Sequence, residues 1–488
     1  MNEKIIMTLI SYPPIGKLAM RTMKKNAVRP FEKPLRMTVE KQEKALRKKL
    51  RILQNKELGK KLGVREKTSI KDLPITNYSF YEPFFVNPSE NSLMFSPDKY
   101  EKARTSGTSG KEKRFLIPKD YVRKVLIETS FPVQMFSTHD GEKITLDFGD
   151  TIYLNTAARP YLSGVMVDIA AGKRQKTPLF KMVPSIDISF EEKVKFFVNN
   201  ADTIDFAVTQ ASILVSQILP SLGKKIKLKG IFCQDTAVAE AHFRQITESV
   251  GVTPRSSFGS TETLHCSIPS VQYPLGFFMD WRRGFFEFIP IDQAGNEQKE
   301  IVGIEDVKTG GIYRFIFTNL EADLTRYDTM NAFKCVARSD DILGIDSPVF
   351  KFHSRLDNDI SLLNFTRISE NELVEAFEEN GIPFAEFTTE IEIVEGLEYL
   401  VIYIEPQTNE AAEKIAYVIH KSLYAADPSY KDLVDFYKYC PIKIIKLPMG
   451  VFGKYLMAKG ESGKVKRIGM SDNEISTLLD LARSPDSL

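Results

Sequence analysis

Metal ligands and thiols are scarce in this sequence. Its four cysteines, Cys233, Cys266, Cys335 and Cys440, stand far apart without a C-x-x-C pair, and only five histidines accompany them. No zinc site is legible in that distribution, and a reduced, cytoplasmic thiol set is the expectation. Charge of one sign is missing as well, since 66 Lys and Arg balance 64 Asp and Glu. A general binder of nucleic acid or of membrane surfaces through net charge is therefore not expected. The basic stretch from Lys41 to Lys61 interleaves Glu43 and Glu57 among its lysines and reads as a solvated helix face. Long apolar runs are lacking too. The N-terminal MNEKIIMTLISYPPIGKL reaches Ser11 and Pro13-Pro14 too soon for a signal-peptide core or a membrane span. Neither a G-x-x-x-x-G-K-[ST] phosphate loop nor a G-x-S-x-G elbow occurs, and no internal repeat is found.

What is present is a chain able to build a core. Hydrophobic residues make up 43% and aromatics 11% of 488 residues, which exceeds the size at which one core stops growing. A large and a small domain are expected. From Thr38 to Leu62, Val39, Leu46, Leu50 and Leu53 form one stripe amid charges, the pattern of an amphipathic helix. The segment PITNYSFYEPFFVNP is aromatic, proline-punctuated and without helical period, so a loop is expected there.

The middle third alternates: IDFAVTQ as strand, ASILVSQILPSLG as helix, KLKGIFCQ as strand, DTAVAEAHFRQITESVG as helix, then PRSSFGSTET as a strand running into a loop. Such alternation builds a parallel sheet, and ligands of such sheets sit beyond the carboxyl ends of the strands, where FGSTET falls. GFFEFIPID and IYRFIFTN follow as strands of a β-rich subdomain, and a small α+β domain with helices over Ser369–Asn380 and Asn409–Ala426 closes the chain. The fold class is thus α/β plus α+β: a large N-terminal α/β domain over 1–355 with parallel strands and a β-rich subdomain, and a small mobile α+β domain over 356–488.

Several short motifs carry chemistry. In RTSGTSGKEKR, glycines and hydroxyls can turn N–H and O–H groups onto phosphate oxygens, while a lysine supplies charge; a surface linker is the commoner use of such composition. FGSTE adds an aromatic face and a carboxylate able to hold magnesium, or else a solvated strand end. TRYDTMN, FHSRLDNDIS and ESGKVKR follow in that order.

The ordered set resembles the adenylate-forming superfamily. Within it, LQNKELGK, LPITNYSFYEP, FEFIP and DVKTGGIY through Thr318-Asn319 and Arg326-Tyr327 resemble the acyl acid amido synthetases typified by the auxin- and jasmonate-conjugating Gretchen Hagen enzymes, a likeness running from about residue 50 to 470. The resemblance implies an ATP- and Mg2+-dependent ligase. It would activate a carboxylic acid as acyl adenylate and pass the acyl group to an amino acid or other amine, releasing AMP and pyrophosphate. Thr105, Ser106, Gly107, Thr108, Ser109 and Gly110 would hold the phosphates with Lys113. Phe258 would stack on the adenine, Glu262 would bind magnesium, and Gly259, Ser260, Thr261, Tyr327, Asn331 and Arg355 would face the nucleotide. Asp357 would be the hinge, Lys464 the lysine that meets departing pyrophosphate, with Lys454 and Lys466 in reserve, and His265 a candidate base for the amine. The segment from Leu154 to Ala170 would wall the acyl pocket.

One departure matters. Where the family pattern reads Y-R-x-G-D, this chain reads Tyr327-Asp328-Thr329-Met330-Asn331, so the ribose-gripping carboxylate falls on an amide, with Asp328 as a shifted-register alternative. A thiol acceptor, making an acyl-CoA or acyl-carrier ligase, and a catalytically lapsed nucleotide-binding relative are the rival readings. A monomer without nucleic-acid partner or membrane span is expected.

Overall fold

A computed structural model describes residues 11–104, 113–172, 177–234, 236–291, 300–356, 359–363, 365–459 and 465–483. The chain divides into two compact units, one ending at Leu356 and the other running from Asp357 onward.

In the first unit, strands β1 (Tyr100–Arg104) and β2 (Arg114–Pro118) form an antiparallel ribbon. Then come β3 (Thr151–Leu154), β4 (Lys181–Val183), β5 (Phe206–Thr209), β6 (Gly230–Cys233) and β7 (Pro254–Arg255), a parallel sheet in the order β4-β3-β5-β6-β7. FAVT and GIFC are buried at every position, which is why they read as unbroken apolar runs: a parallel strand covered on both faces has no polar side. A short hairpin of β8 (Gly259–Ser260) and β9 (Leu264–His265) follows. The next strands are β10 (Ser267–Pro269), β11 (Phe277–Met279), β12 (Gly284–Ile291), β13 (Val302–Gly303), β14 (Ile312–Asn319), β15 (Tyr327–Ala337) and β16 (Val349–Arg355). Among the described residues they pair antiparallel in the order β10-β11-β16-β15-β14-β12-β13 around a core rich in phenylalanine, including Phe277, Phe288, Phe315, Phe333 and Phe350.

Two helices over this unit contain π-type turns, Leu126–Ser130 and Leu214–Ile218. Each stands two residues before a proline, Pro132 and Pro220, whose missing N–H cannot continue the regular ladder. The Glu128 carbonyl released in this way accepts from the Arg282 guanidinium.

The stripe expected over 38–62 is realised as two helices, Leu35–Leu53 and Glu57–Leu62, with Leu46, Leu50 and Leu53 buried. Lys49 departs from the expected solvated face. It is 1% exposed, and its amine donates to the carbonyls of Asn319 at 2.7 Å, Ala322 at 2.8 Å and Asp323 at 3.2 Å, and to Leu324 O. The loop expected at PITNYSFYEPFFVNP is instead a helix, Tyr78–Val86. Asn77 caps it by accepting from Phe80 N–H at 3.2 Å, and Tyr81 and Phe85 are drawn into the core, so packing outweighs the break expected from Pro83.

The second unit contains β17 (Asp359–Leu362) and β18 (Thr366–Ser369) as a hairpin, and β19 (Phe384–Val394), β20 (Leu397–Pro406) and β21 (Ile442–Lys446) as a sheet. The β20–β21 pair is parallel because the helices Ala412–Ala426 and Pro428–Tyr437 intervene, of which the second was not foreseen. Ser369 begins the helix Glu370–Glu379 with a capping box to Glu372. No helix among the described residues is long and apolar enough to cross a membrane.

Candidate active site

The FGSTE stretch is a tight turn just past the end of β7, leading from β8 into β9. Ser260 N–H donates to Thr263 Oγ1 at 3.1 Å and the two hydroxyls lie 3.0 Å apart, so the turn closes on itself. A Cβ on Gly259 would stand 2.8 Å from Leu264 O and 2.9 Å from His265 Cδ2, so only glycine admits the return strand. Ser267 Oγ ties the base of the turn, accepting from Phe258 N–H at 2.6 Å and donating to Phe258 O at 2.9 Å. At the tip, Thr261 and Glu262 are half-buried, and no hydrogen bond or ion pair to another described residue holds the Glu262 carboxylate.

Phe258 couples this turn to the antiparallel sheet. Its ring meets Phe333 edge-on at 4.8 Å and packs with Phe315 at 5.8 Å and Phe277 at 6.3 Å. The residue expected to stack on a base is therefore largely engaged by three phenylalanines. Two residues before Phe333 on β15, Asn331 lies opposite Arg355 of β16. Asn331 is 3% exposed, donates from Nδ2 to Thr329 O at 2.8 Å, and accepts from Arg355 Nη1 at 3.4 Å. The neighbouring Met330 has φ +54°, a left-handed conformation costly to a side chain, at the position where the family pattern has glycine. Asp328, the shifted-register alternative, is occupied by Arg314, which approaches it with Nε at 3.1 Å and with Nη2, and by Met330 N–H at 2.9 Å. Tyr327 does not join this group: it is 6% exposed and packs beside Tyr81 and Phe115 in the core.

His265 faces Ser130, with Nδ1 2.9 Å from the hydroxyl, and its ring lies 6.4 Å from Phe232. Burial pulls the imidazole down from 6.5 to about 4. A ring so weakly basic is neutral at pH 7 and holds a proton poorly. Lys113 stands at the start of β2 with its amine 5.8 Å from the Tyr78 ring centre. In the second unit, Lys454 is half-buried on the helix Val451–Lys459, and Lys466 is exposed, its carbonyl accepting from Thr388. Thr105 through Gly110, Asp357 and Lys464 lie outside the described residues.

At the carboxyl ends of the parallel strands, sequence reasoning reached the FGSTE turn and the acyl-pocket wall expected over Leu154–Ala170, which holds Asn155 and Thr156, but passed over Gln210 and Ser257. Asn155 and Thr156 follow β3, Gln210 follows β5, and Ser256 and Ser257 follow β7. Asn155 Oδ1, Thr156 Oγ1, Gln210 Oε1 and Ser257 Oγ are all shielded from solvent without a hydrogen-bond partner. From behind, Lys193 grips the same rim, donating to Thr156 O at 2.8 Å and Ile186 O at 2.9 Å. Burial lowers this amine to about 8. Strand ends flanked by polar residues were the one available signal.

Known proteins share this architecture. The AtGH3.15 acyl acid amido synthetase in complex with 2,4-DB superposes with a TM-score of 0.51 over 94% of this chain and 95% of its own, at 15% identity. A 2-hydroxyisobutyryl-CoA ligase in complex with 2-HIB-AMP and CoA gives 0.61 over 93% of each chain at 13% identity. At such identities the likeness is one of fold, and both of these proteins share that fold with this chain. Residues 277–355, which span β11 to β16, match the model of the GH3 family central domain. A curated relative, the 4-substituted benzoates-glutamate ligase GH3.12 of Arabidopsis thaliana, is 25% identical over 206 residues, 40% of this chain and 31% of its own length.

Proposed function

We propose that the protein is an ATP-dependent ligase that joins a carboxylic acid to the amine of an amino acid through an acyl adenylate. The observation carrying this reading is the Gly259–Glu262 turn beyond β7, with its unengaged carboxylate, set directly before the GH3 family central domain. Attack of the acid on the α-phosphate would give acyl-AMP and pyrophosphate; the amine nitrogen would then form the C–N bond as AMP leaves and a proton is released. Residues 105–110 with Lys113 would meet the phosphates, and Lys464 the departing pyrophosphate. Residues 1–355 would serve as the adenylation domain and 356–488 as the small domain.

Glu262 fits a magnesium ion of the nucleotide-borne kind. No group of three or more His, Cys, Asp or Glu is clustered for a metal among the described residues, so one carboxylate and phosphate oxygens would make up the shell. Bound there, the ion would neutralise charge developing on the phosphates. Asn331 and Arg355 would face the ribose, with an amide oxygen in place of a carboxylate. His265 would orient Ser130 rather than take the amine's proton, leaving that proton to solvent.

The test is pyrophosphate release with ATP and magnesium across aryl, indole and fatty acids, with and without amino acids. Release that depends on one acid and rises with amino acids supports the reading, and Glu262→Gln is expected to lower it on the order of a hundredfold. A thiol acceptor is the second reading, favoured by the fold shared with the CoA ligase; coenzyme A in place of the amino acids would then sustain turnover.

A further inference from the structure

The rim of the parallel sheet is built rigidly and yet left chemically incomplete. Between β3 and the helix Leu162–Ala171, successive residues are each pinned. Asn155 N–H donates to Val208 O at 2.8 Å, Thr156 O accepts from Lys193, and Ala157 O accepts from Ser163 Oγ at 3.1 Å. A Cβ on Gly164 would lie 2.3 Å from Ala158 C, so the helix presses directly on this segment. Asn155 is fully buried and Thr156 is 5% exposed. In such a setting the polar atoms would ordinarily all be paired. Four are not: Asn155 Oδ1, Thr156 Oγ1, Gln210 Oε1 and Ser257 Oγ.

Their placement follows the strand alternation. Leu154, Val208, Phe232 and Arg255 share one face of the sheet by register, and two residues past the first two come Thr156 and Gln210, with Ser257 two past Arg255. With strands about 4.8 Å apart, these three groups are spread along the edge of the sheet over roughly 14 Å, above an apolar floor of Leu154, Val208 and Phe232. The carboxyl edge of a parallel sheet is where ligands of such folds lie. Amide oxygens accept hydrogen bonds, and hydroxyls both accept and donate.

We infer that this edge selects an acid bearing a hydroxyl or amino substituent away from its carboxylate, seated on Gln210 Oε1 and Thr156 Oγ1 with Ser257 beside them, while Asn155, on the other face with Thr209, stays outside the subsite. The inference rests on the ligase reading and narrows its substrate class: plain fatty and alkyl-aryl acids leave these three groups unpaired and are rejected. A site built to bond a hydroxyl discriminates strongly against the isostere that lacks it.

The experiment compares matched acids on the whole protein: 4-hydroxybenzoate with 4-methylbenzoate, 5-hydroxyindole-3-acetate with its 5-methyl analogue, and 12-hydroxydodecanoate with tridecanoate. In one pair or more, the hydroxy acid is expected to exceed its methyl partner in kcat/KM for pyrophosphate release on the order of a hundredfold. It should also raise the melting temperature where the partner does not. Gln210→Leu is expected to bring that ratio to within about threefold of one, and Ser257→Ala to lower it by less. Because Gln210 Oε1 has no partner, Gln210→Leu should melt no lower than the parent when no acid is present. A fall of several degrees would show the amide to be structural and overturn the inference. So would equal response to every matched pair, or an effect of Gln210→Leu on ATP affinity alone. Selective thermal protection by the hydroxy acid without pyrophosphate release would uphold the site and sink the ligase reading instead.

Discussion

Replacing Lys49 by methionine removes a buried amine that gathers the loop between β14 and β15. In the native protein its three N–H donors are shared among four carbonyls of residues 319–324. Burial pulls the amine's pKa down, while the Asp323 carboxylate pulls it back up. Methionine fills a similar volume and donates nothing. Leu324 O keeps a second donor, Asn319 N–H at 3.0 Å, and Asp323 O keeps the Thr325 hydroxyl at 3.1 Å, but the carbonyls of Asn319 and Ala322 lose the amine. At about 1–3 kcal/mol for each acceptor stripped of its donor, and with relief from no longer burying an ammonium, the net loss is about 3 kcal/mol. Trp281, the single tryptophan, lies in the same unit with its indole N–H on Pro30 O at 3.0 Å, so its fluorescence follows that unit alone. With a urea slope of about 3 kcal/mol per molar, the midpoint should fall by about 1 M. A fall of less than about 0.3 M would refute the view that the amine organises the loop.

Two further outcomes are expected. His265 has a folded pKa of about 4 against an unfolded value of 6.5, so it stays neutral in the fold while the unfolded chain takes up a proton. Its contribution is therefore complete above pH 6.5 and is lost as pH falls toward 4, by roughly 3 kcal/mol; His265→Gln should flatten the stability curve over that window by a similar amount, and parallel curves in urea titrations would contradict this. Asn331→Asp would set a carboxylate oxygen against Thr329 O, where Nδ2 now donates at 2.8 Å, and should cost about 1–2 kcal/mol despite the nearby Arg355; an unchanged or raised melting point would show that the amide is not required there.

The sequence by itself determined the succession of elements wherever burial repeats along the chain. FAVT and GIFC are strands because both faces of the parallel sheet are covered, and ISENEL begins a helix because Ser369 and Glu372 cap it locally. The turn at Gly259–Glu262 was legible for the same reason: its closing hydroxyls, Ser260 and Thr263, are three residues apart. Tertiary structure alone decided the rest. Lys49 looked like one more solvated lysine because the carbonyls that enclose it come some 270 residues later. Tyr78–Val86 became a helix only because Tyr81 and Phe85 find a core. Thr156, Gln210 and Ser257 carry no motif; they come to one edge of the sheet because three parallel strands end there. Local bonds and periodic burial are written in neighbouring residues, whereas the partner of a buried polar group is chosen by the folded chain.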